Sequence, residues 1–240
     1  MSELSIKQIP ALRDNYVYLI TCRKTGETAV VDPSEAAPVK KALGDGGLDY
    51  VLNTHHHWDH TDGNLPLKKD YGCTIIGSGY DPERVQGIDR DVTAGDTFKI
   101  GAAEAEVLFV PGHTRGHIAF HFPESEALFC GDTLFAGGCG RLFEGTPEEM
   151  FKSLKKLADL PDTTKVYCGH EYTEANYDFA SSMAPENTDI QHRLEEVKLM
   201  RRAGKPTVPS TIEEEKRSNI FLLAPDPQTF ATLREAKDRF

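Results

Sequence analysis

Four histidines and an aspartate crowd into residues 54–60, Thr-His-His-His-Trp-Asp-His, although the 240-residue chain holds only nine histidines. The string follows the apolar run YVLNT at 50–54. Extended backbone has a side-chain period of two, so His55 and His57 share a face while His56 and Trp58 point elsewhere. Two imidazoles on one face are metal ligands in the making, and Asp59 and His60, where the chain turns, reach a second position nearby. Three further donors each stand just beyond an apolar run: His113 in VPGHTRGH, Asp132 in FCGDTLF and His170 in YCGHEYT. Ligands at strand ends converge when a rigid scaffold presents them from loops. A histidine-rich surface loop or a set of hydrogen-bonded core histidines would not call for these three.

The elements that must position these residues are short strands in the first 170 residues. TAVVD at 28–32, YVLNT at 50–54, AEVLFVPG at 105–112, ALFCGD at 127–132 and KVYCGH at 165–170 are rich in β-branched or aromatic residues, and each ends in a turn or polar cluster. A helix is predicted over 146–160, with a capping box of Thr146 and Glu149, Pro147 in its first turn, and Phe151, Leu154, Leu157 and Ala158 on one face. From about residue 171 helical patterns take over, predicting a catalytic domain at 1–170 and a smaller helical domain at 171–240. The latter holds a helix at 188–203 built on Ile190, Leu194 and Val197, a second capping box at Ser210 and Glu213, and a last helix after Asp226-Pro227.

Composition narrows the partners. Lys and Arg total 27 against 38 Asp and Glu, a net charge of −11 that disfavours polyphosphate backbones and so general nucleic-acid binding. The five cysteines form no CxxC pair and are odd in number, which fits a reducing cytosol better than a disulfide framework. No run of 18 apolar residues and no secretory pattern is present, so neither a membrane span nor export is expected. The expected protein is a cytoplasmic monomer. His117 reads as a backing or structural residue rather than a ligand, His121 and His192 as structural or surface, and Cys168 as a small buried residue in a strand.

Through HHHWDH, PGHTRGH, GDTLF and GHEYT, in that order over residues 55–173, the sequence resembles the metallo-β-lactamase superfamily. Within it, ALRDNYVYLI at 11–20, VDPSE at 31–35, GCGRLFEGTPEEM at 138–150, GHEYTEAN at 169–176 and the terminal REAKDRF look like the glyoxalase II (hydroxyacylglutathione hydrolase) family. The resemblance implies an α/β fold, a four-layer αββα sandwich followed by a smaller C-terminal helical domain. It implies one metal on His55, His57 and His113, a second on Asp59, His60 and His170, and Asp132 bridging both. Zinc comes first for such a thiolate-free set, with iron or manganese also suited. It further implies that Arg141, Tyr172, Arg234 and Lys237 hold glutathione, the last two lying at i and i+3 on one helix face. Phe143 stands where some relatives have a tyrosine, and Asn219-Ile220-Phe221-Leu222-Leu223 replaces the family's Asn-Pro-Phe-Leu-Arg.

Two metals about 3.5–4 Å apart hold a water between them and lower its pKa toward neutrality, giving a hydroxide nucleophile and a Lewis acid for the carbonyl. No G-x-S-x-G elbow is present. A thiol leaving group with a pKa near 8.5 departs as thiolate without a strong acid, so Asp59 and Asp132 are expected to act as ligands. The expected reaction is hydrolysis of S-D-lactoylglutathione to glutathione and D-lactate, in methylglyoxal detoxification. The alternative is a persulfide dioxygenase with a single iron; a nuclease of the same fold is disfavoured by the acidic balance.

Overall fold

A computed structural model describes residues 3–240. By packing, the chain forms two units, one of residues up to Phe109 with Gly116–Gly131, the other of Val110–Arg115 with Asp132–Phe240.

In the first unit, β1 (Leu4–Ala11), β2 (Asn15–Cys22), β3 (Thr28–Val31), β4 (Tyr50–Leu52), β5 (Thr74–Ser78) and β6 (Arg90–Val92) form one sheet in chain order. Its first three strands are antiparallel and the rest parallel. The parallel part needs crossovers, which α1 (Ala36–Leu43), α2 (Trp58–Thr61) and α3 (Asn64–Tyr71) supply. β7 (Thr97–Ile100), β8 (Ala103–Phe109), β9 (Ile118–Phe122) and β10 (Ala127–Gly131) form an antiparallel set in which each strand pairs with the next.

Strand β2 is buried on both faces, which is why its sequence, NYVYLITC, is nearly all apolar or aromatic. Val17 and Leu19 join Ile9, Val30, Val51 and Ile75 in a core closed by Val39 of α1 and Leu67 of α3. On the alternate positions Tyr18 meets Phe129 of β10 at 5.5 Å between ring centroids, so the two sets of strands lie face to face. Each such fully buried side chain is worth roughly 1.5–3 kcal/mol.

The second unit holds a hairpin of β11 (Leu134–Phe135) and β12 (Gly138–Cys139), helix α4 (Pro147–Ala158), and β13 (Lys165–Cys168) paired with β14 (Ser210–Thr211). Helices α5 (Thr173–Met183), α6 (Thr188–Arg202), α7 (Ile212–Ser218), α8 (Ile220–Leu223) and α9 (Pro227–Arg239) complete it. Helix α4 has the expected Thr146–Glu149 capping box, and Asp226 caps α9 by accepting from the Thr229 N–H. On α4 the buried face includes Met150, while Phe151 is only partly covered. The second capping box lies one residue later than expected, at Thr211 and Glu214; both Ser210 and Thr211 belong to β14, and Thr211, its last residue, caps the helix. Tyr177, Phe179, Phe221 and Phe230 fill the space between the helices.

Candidate metal centre

Strand β4 ends at Leu52, the chain bends at Thr54 and His55, and α2 begins at Trp58. His55 Nε2 and His57 Nδ1 approach to 3.1 Å, while His56 contacts Arg84 and Asp81 instead. Trp58 is 62% exposed and belongs to no core. Asp59 and His60 fall in the single turn of α2, with Asp59 Oδ2 3.6 Å from His60 Nε2. Asn15, at the start of β2, donates to both the Asp59 carbonyl and its carboxylate, and Asn53 donates to the His60 carbonyl.

One residue outside the string orients two of the ligands. Asp32 follows β3 with φ +48, a left-handed conformation that aspartate tolerates better than most side chains. Its carboxylate accepts from the Thr54 N–H at 2.8 Å, the Thr54 hydroxyl at 2.7 Å and His60 Nδ1 at 3.2 Å. Thr54 Oγ1, its proton committed to Asp32, accepts in turn from His55 Nδ1 at 3.0 Å. Both imidazoles thus carry the proton on Nδ1 and leave Nε2 unprotonated, that of His55 facing His57 Nδ1. Asp32, His55 and His60 have donor atoms within 4.8 Å of one another, and the Asp32 carboxylate is already engaged by Thr54 and His60. His117 stacks on His55 at 4.6 Å and donates Nδ1–H to the Ile118 carbonyl, so it backs a ligand.

The second unit carries its own cluster. Asp132, just past β10, has Oδ2 at 3.4 Å from His113 Nε2 and 3.3 Å from His170 Nε2. His113 donates Nδ1–H to the Arg141 carbonyl at 2.8 Å, which again bares Nε2. His170 follows β13 and is stacked at 4.7 Å, planes 2° apart, on Tyr172, which also meets Phe135 edge-on. Cys168 is buried and its thiol is pushed up to about 12 by desolvation, so it is inert beside these donors. Five imidazoles and two carboxylates, with no thiolate, suit divalent cations of the zinc, iron and manganese kind.

The expected substrate residues lie in this same unit. Arg234 is not on a solvated face: it is buried, donating to the Cys139 carbonyl at 2.9 Å and to Asp238 at 2.9 Å. Its Nε is buried with no hydrogen-bond partner among the described residues. Arg141 reaches the same Asp238 at 3.6 Å. Lys237 donates to the Ala175 carbonyl at 2.6 Å, in the first turn of α5, whose N-terminal flank is Tyr172. Desolvation, reinforced by Arg234 and Arg141 and opposed by Asp178, lowers the Lys237 ammonium to about 8. Phe143 is exposed, its ring 5.2 Å from that of His113.

This strand arrangement with histidine and aspartate donors at strand ends defines a metal-binding α/β protein of the metallo-β-lactamase fold. The metallo-beta-lactamase superfamily profile matches residues 11–170, and that of the hydroxyacylglutathione hydrolase C-terminus matches 171–240. Proteins named hydroxyacylglutathione hydrolase from Rhodospirillum rubrum and Methylococcus capsulatus are 51% and 49% identical, covering 100% and 99% of each chain. The chain belongs to the hydroxyacylglutathione hydrolase (glyoxalase II) family of that superfamily. Among solved structures, ETHE1 from Myxococcus xanthus is similar with a TM-score of 0.75 and 26% identity, over 96% of this chain and 90% of that one. TTHA1623, in a di-iron-bound form, gives 0.63 and 25%, over 91% and 100%.

Proposed function

We propose that this protein hydrolyses S-(2-hydroxyacyl)glutathione thioesters, S-D-lactoylglutathione first among them, to glutathione and the 2-hydroxy acid. The observation that carries the reading is a knot of three cations in an acidic chain. Arg141 and Arg234 share Asp238, and Lys237 is close enough to both to feel their charge. Such a knot attracts a small anionic molecule, and the tie of Lys237 to the first turn of α5 links it to Tyr172 and so to the donor His170. The unpaired Arg234 Nε is a donor that a peptide carboxylate would satisfy.

In this reading His55, His57 and His113 hold one divalent cation, Asp59, His60 and His170 hold another, and Asp132 serves both; the unprotonated Nε2 atoms and the ligand order along the chain support the assignment. Zinc is the first choice, with iron or manganese as alternatives. The cations supply Lewis acidity and a nucleophile at neutral pH. Asp59 and Asp132 act as ligands, since a thiolate leaves without help from an acid. Arg141, Tyr172, Arg234 and Lys237 take the glutathione moiety, with Phe143 beside them lacking a hydroxyl. Residues 1–170 form the catalytic domain and 171–240 the substrate-binding domain. No helix among the described residues is long and apolar enough to cross a membrane, and a cytoplasmic monomer acting in methylglyoxal detoxification fits the reading.

The test is a thioester assay with S-D-lactoylglutathione on purified protein, before and after chelation. Hydrolysis that stops on chelation, returns with metal and needs no oxygen is expected. Oxygen uptake with a glutathione persulfide, without thioester cleavage, would instead favour the single-iron dioxygenase.

A further inference from the structure

Between Asp132 and Arg141 the chain runs through the β11–β12 hairpin, whose ladder pairs only Leu134 with Cys139 and Phe135 with Gly138. Two cross-strand pairs cannot hold a hairpin by themselves. What holds it comes from the helices that follow. Asn219 Nδ2 donates to the Phe135 and Gly138 carbonyls at 3.2 and 2.9 Å, and Asn176 Nδ2 donates to Ala136 at 3.1 Å. Gly137 donates its N–H to Glu215 Oε2 at 3.0 Å, and Arg234 donates to Cys139 at 2.9 Å. Each of the five consecutive residues 135–139 therefore has a backbone group held by a side chain from beyond residue 170. Glu215 and Asn219 are fully buried and joined to each other at 2.8 Å, so they form the centre of the clamp.

The hairpin is also tightly seated. A Cβ at Gly137 would come within 2.5 Å of the Tyr177 ring, and one at Gly138 within 2.5 Å of the Asn176 amide. At its exit, a Cβ at Gly140 would lie 1.9 Å from the Asp132 carbonyl and 3.1 Å from His113 Nδ1. The next residue, Arg141, supplies the carbonyl that orients His113. A shift of the hairpin is thus felt at two metal donors at once.

We infer that Glu215 and Asn219 are positioning residues for the metal centre, acting through the hairpin to fix where Asp132 and His113 present their donor atoms. The inference rests on the proposed ligand roles of those two residues. Neither Glu215 nor Asn219 stands near the ligand motifs in sequence. Burial raises the Glu215 carboxyl to about 7 against hydrogen bonding from Ser210, Asn219 and Gly137. A neutral amide at this place can accept the bonds from Asn219 and Gly137, which supplies a conservative variant.

The experiment uses the full-length protein loaded with Co²⁺ for its absorption spectrum, and Zn²⁺ affinity by chelator competition. Glu215→Leu and Asn219→Leu should weaken Zn²⁺ binding by about 10- to 100-fold, the usual result of losing support behind a ligand, and should change the Co²⁺ spectrum. Glu215→Gln should stay within about threefold of wild type in affinity, keeping its spectrum, since both acceptor bonds remain. Val197→Ala, in the α6 core away from the hairpin, should lower Tm with metal affinity and spectrum unchanged. If the leucine variants fail to fold, Asn176→Ala carries the test, with an expected loss of about 2- to 10-fold in affinity and a smaller spectral change. Folded leucine variants with wild-type affinity and spectrum would overturn the inference, as would an Asn176→Ala variant unchanged in both, or a Val197→Ala variant weakened as much as they are. A wild-type protein that binds no metal would instead remove the proposed function on which the inference rests.

Discussion

The two ligand clusters are held by different means. His55, His57, Asp59 and His60 come from six consecutive residues at a strand-to-helix transition, and Asp32 fixes two of their imidazoles within the same unit. His113, Asp132 and His170 come from three distant segments, ordered by a carbonyl, a hairpin and a stacked tyrosine. In the first cluster the donors are near neighbours along the chain, and one buried carboxylate sets the tautomers of two of them. In the second nothing local aims them, and the C-terminal helices provide the order through the chain between Asp132 and Arg141.

The largest effect should come from the donor assigned to both cations. Asp132→Ala should cost well beyond about 100-fold in kcat/KM together with bound metal, because losing a ligand's outer partner already costs about 10- to 100-fold. His56→Ala, which faces Arg84 and Asp81, should keep its metal; comparable losses of metal and activity in the two variants would mean that the facing is wrong. Next, Asp32→Asn should cost about 10- to 100-fold in activity or metal affinity, because an amide cannot accept from Thr54 and His60 in the same way. A wild-type Asp32→Asn enzyme would show that the first cluster needs no outside support, which would remove the contrast drawn above.

Smaller effects belong to the cation knot. Lys237→Ala should raise KM for S-D-lactoylglutathione roughly tenfold, the lower end for a charge-assisted bond since this side chain is only half-buried, with kcat nearly constant. The folded Lys237 loses its charge as pH rises through about 8, so KM should climb between pH 7 and 9 in the wild type and stay flat in Lys237→Ala. For stability the sign is opposite. Depression of this base means that the unfolded chain binds more protons between about 8 and the ordinary lysine value of 10.5, so this group's contribution to stability improves with pH across that window. Phe143→Tyr should change least, lowering KM about 2- to 10-fold if the added hydroxyl finds glutathione, with a small thioester lacking glutathione unaffected.

What could be read from the sequence follows the same division. The grouping of the first cluster was legible because its residues are neighbours in the chain, and α4 because its capping box and apolar face are local. Asp32 was not: its role depends on the chain bringing β3 beside β4. Glu215, Asn219 and Asn176 were hidden for the same reason, since the groups they hold lie about 40 to 80 residues away. The capping box at Thr211 was missed by one residue because Ser210 and Glu213 satisfy the same pattern one position earlier. Arg234 read as one of two cations on a helix face, whereas burial gives it a second task at Cys139.

The central claim, two cations on two clusters with a shared carboxylate, is tested most directly by titrating zinc into metal-free protein while following bound metal and thioester hydrolysis together. The account predicts that bound metal approaches two per chain and that full activity requires the second equivalent. Full activity at one metal per chain under metal-replete conditions would contradict it.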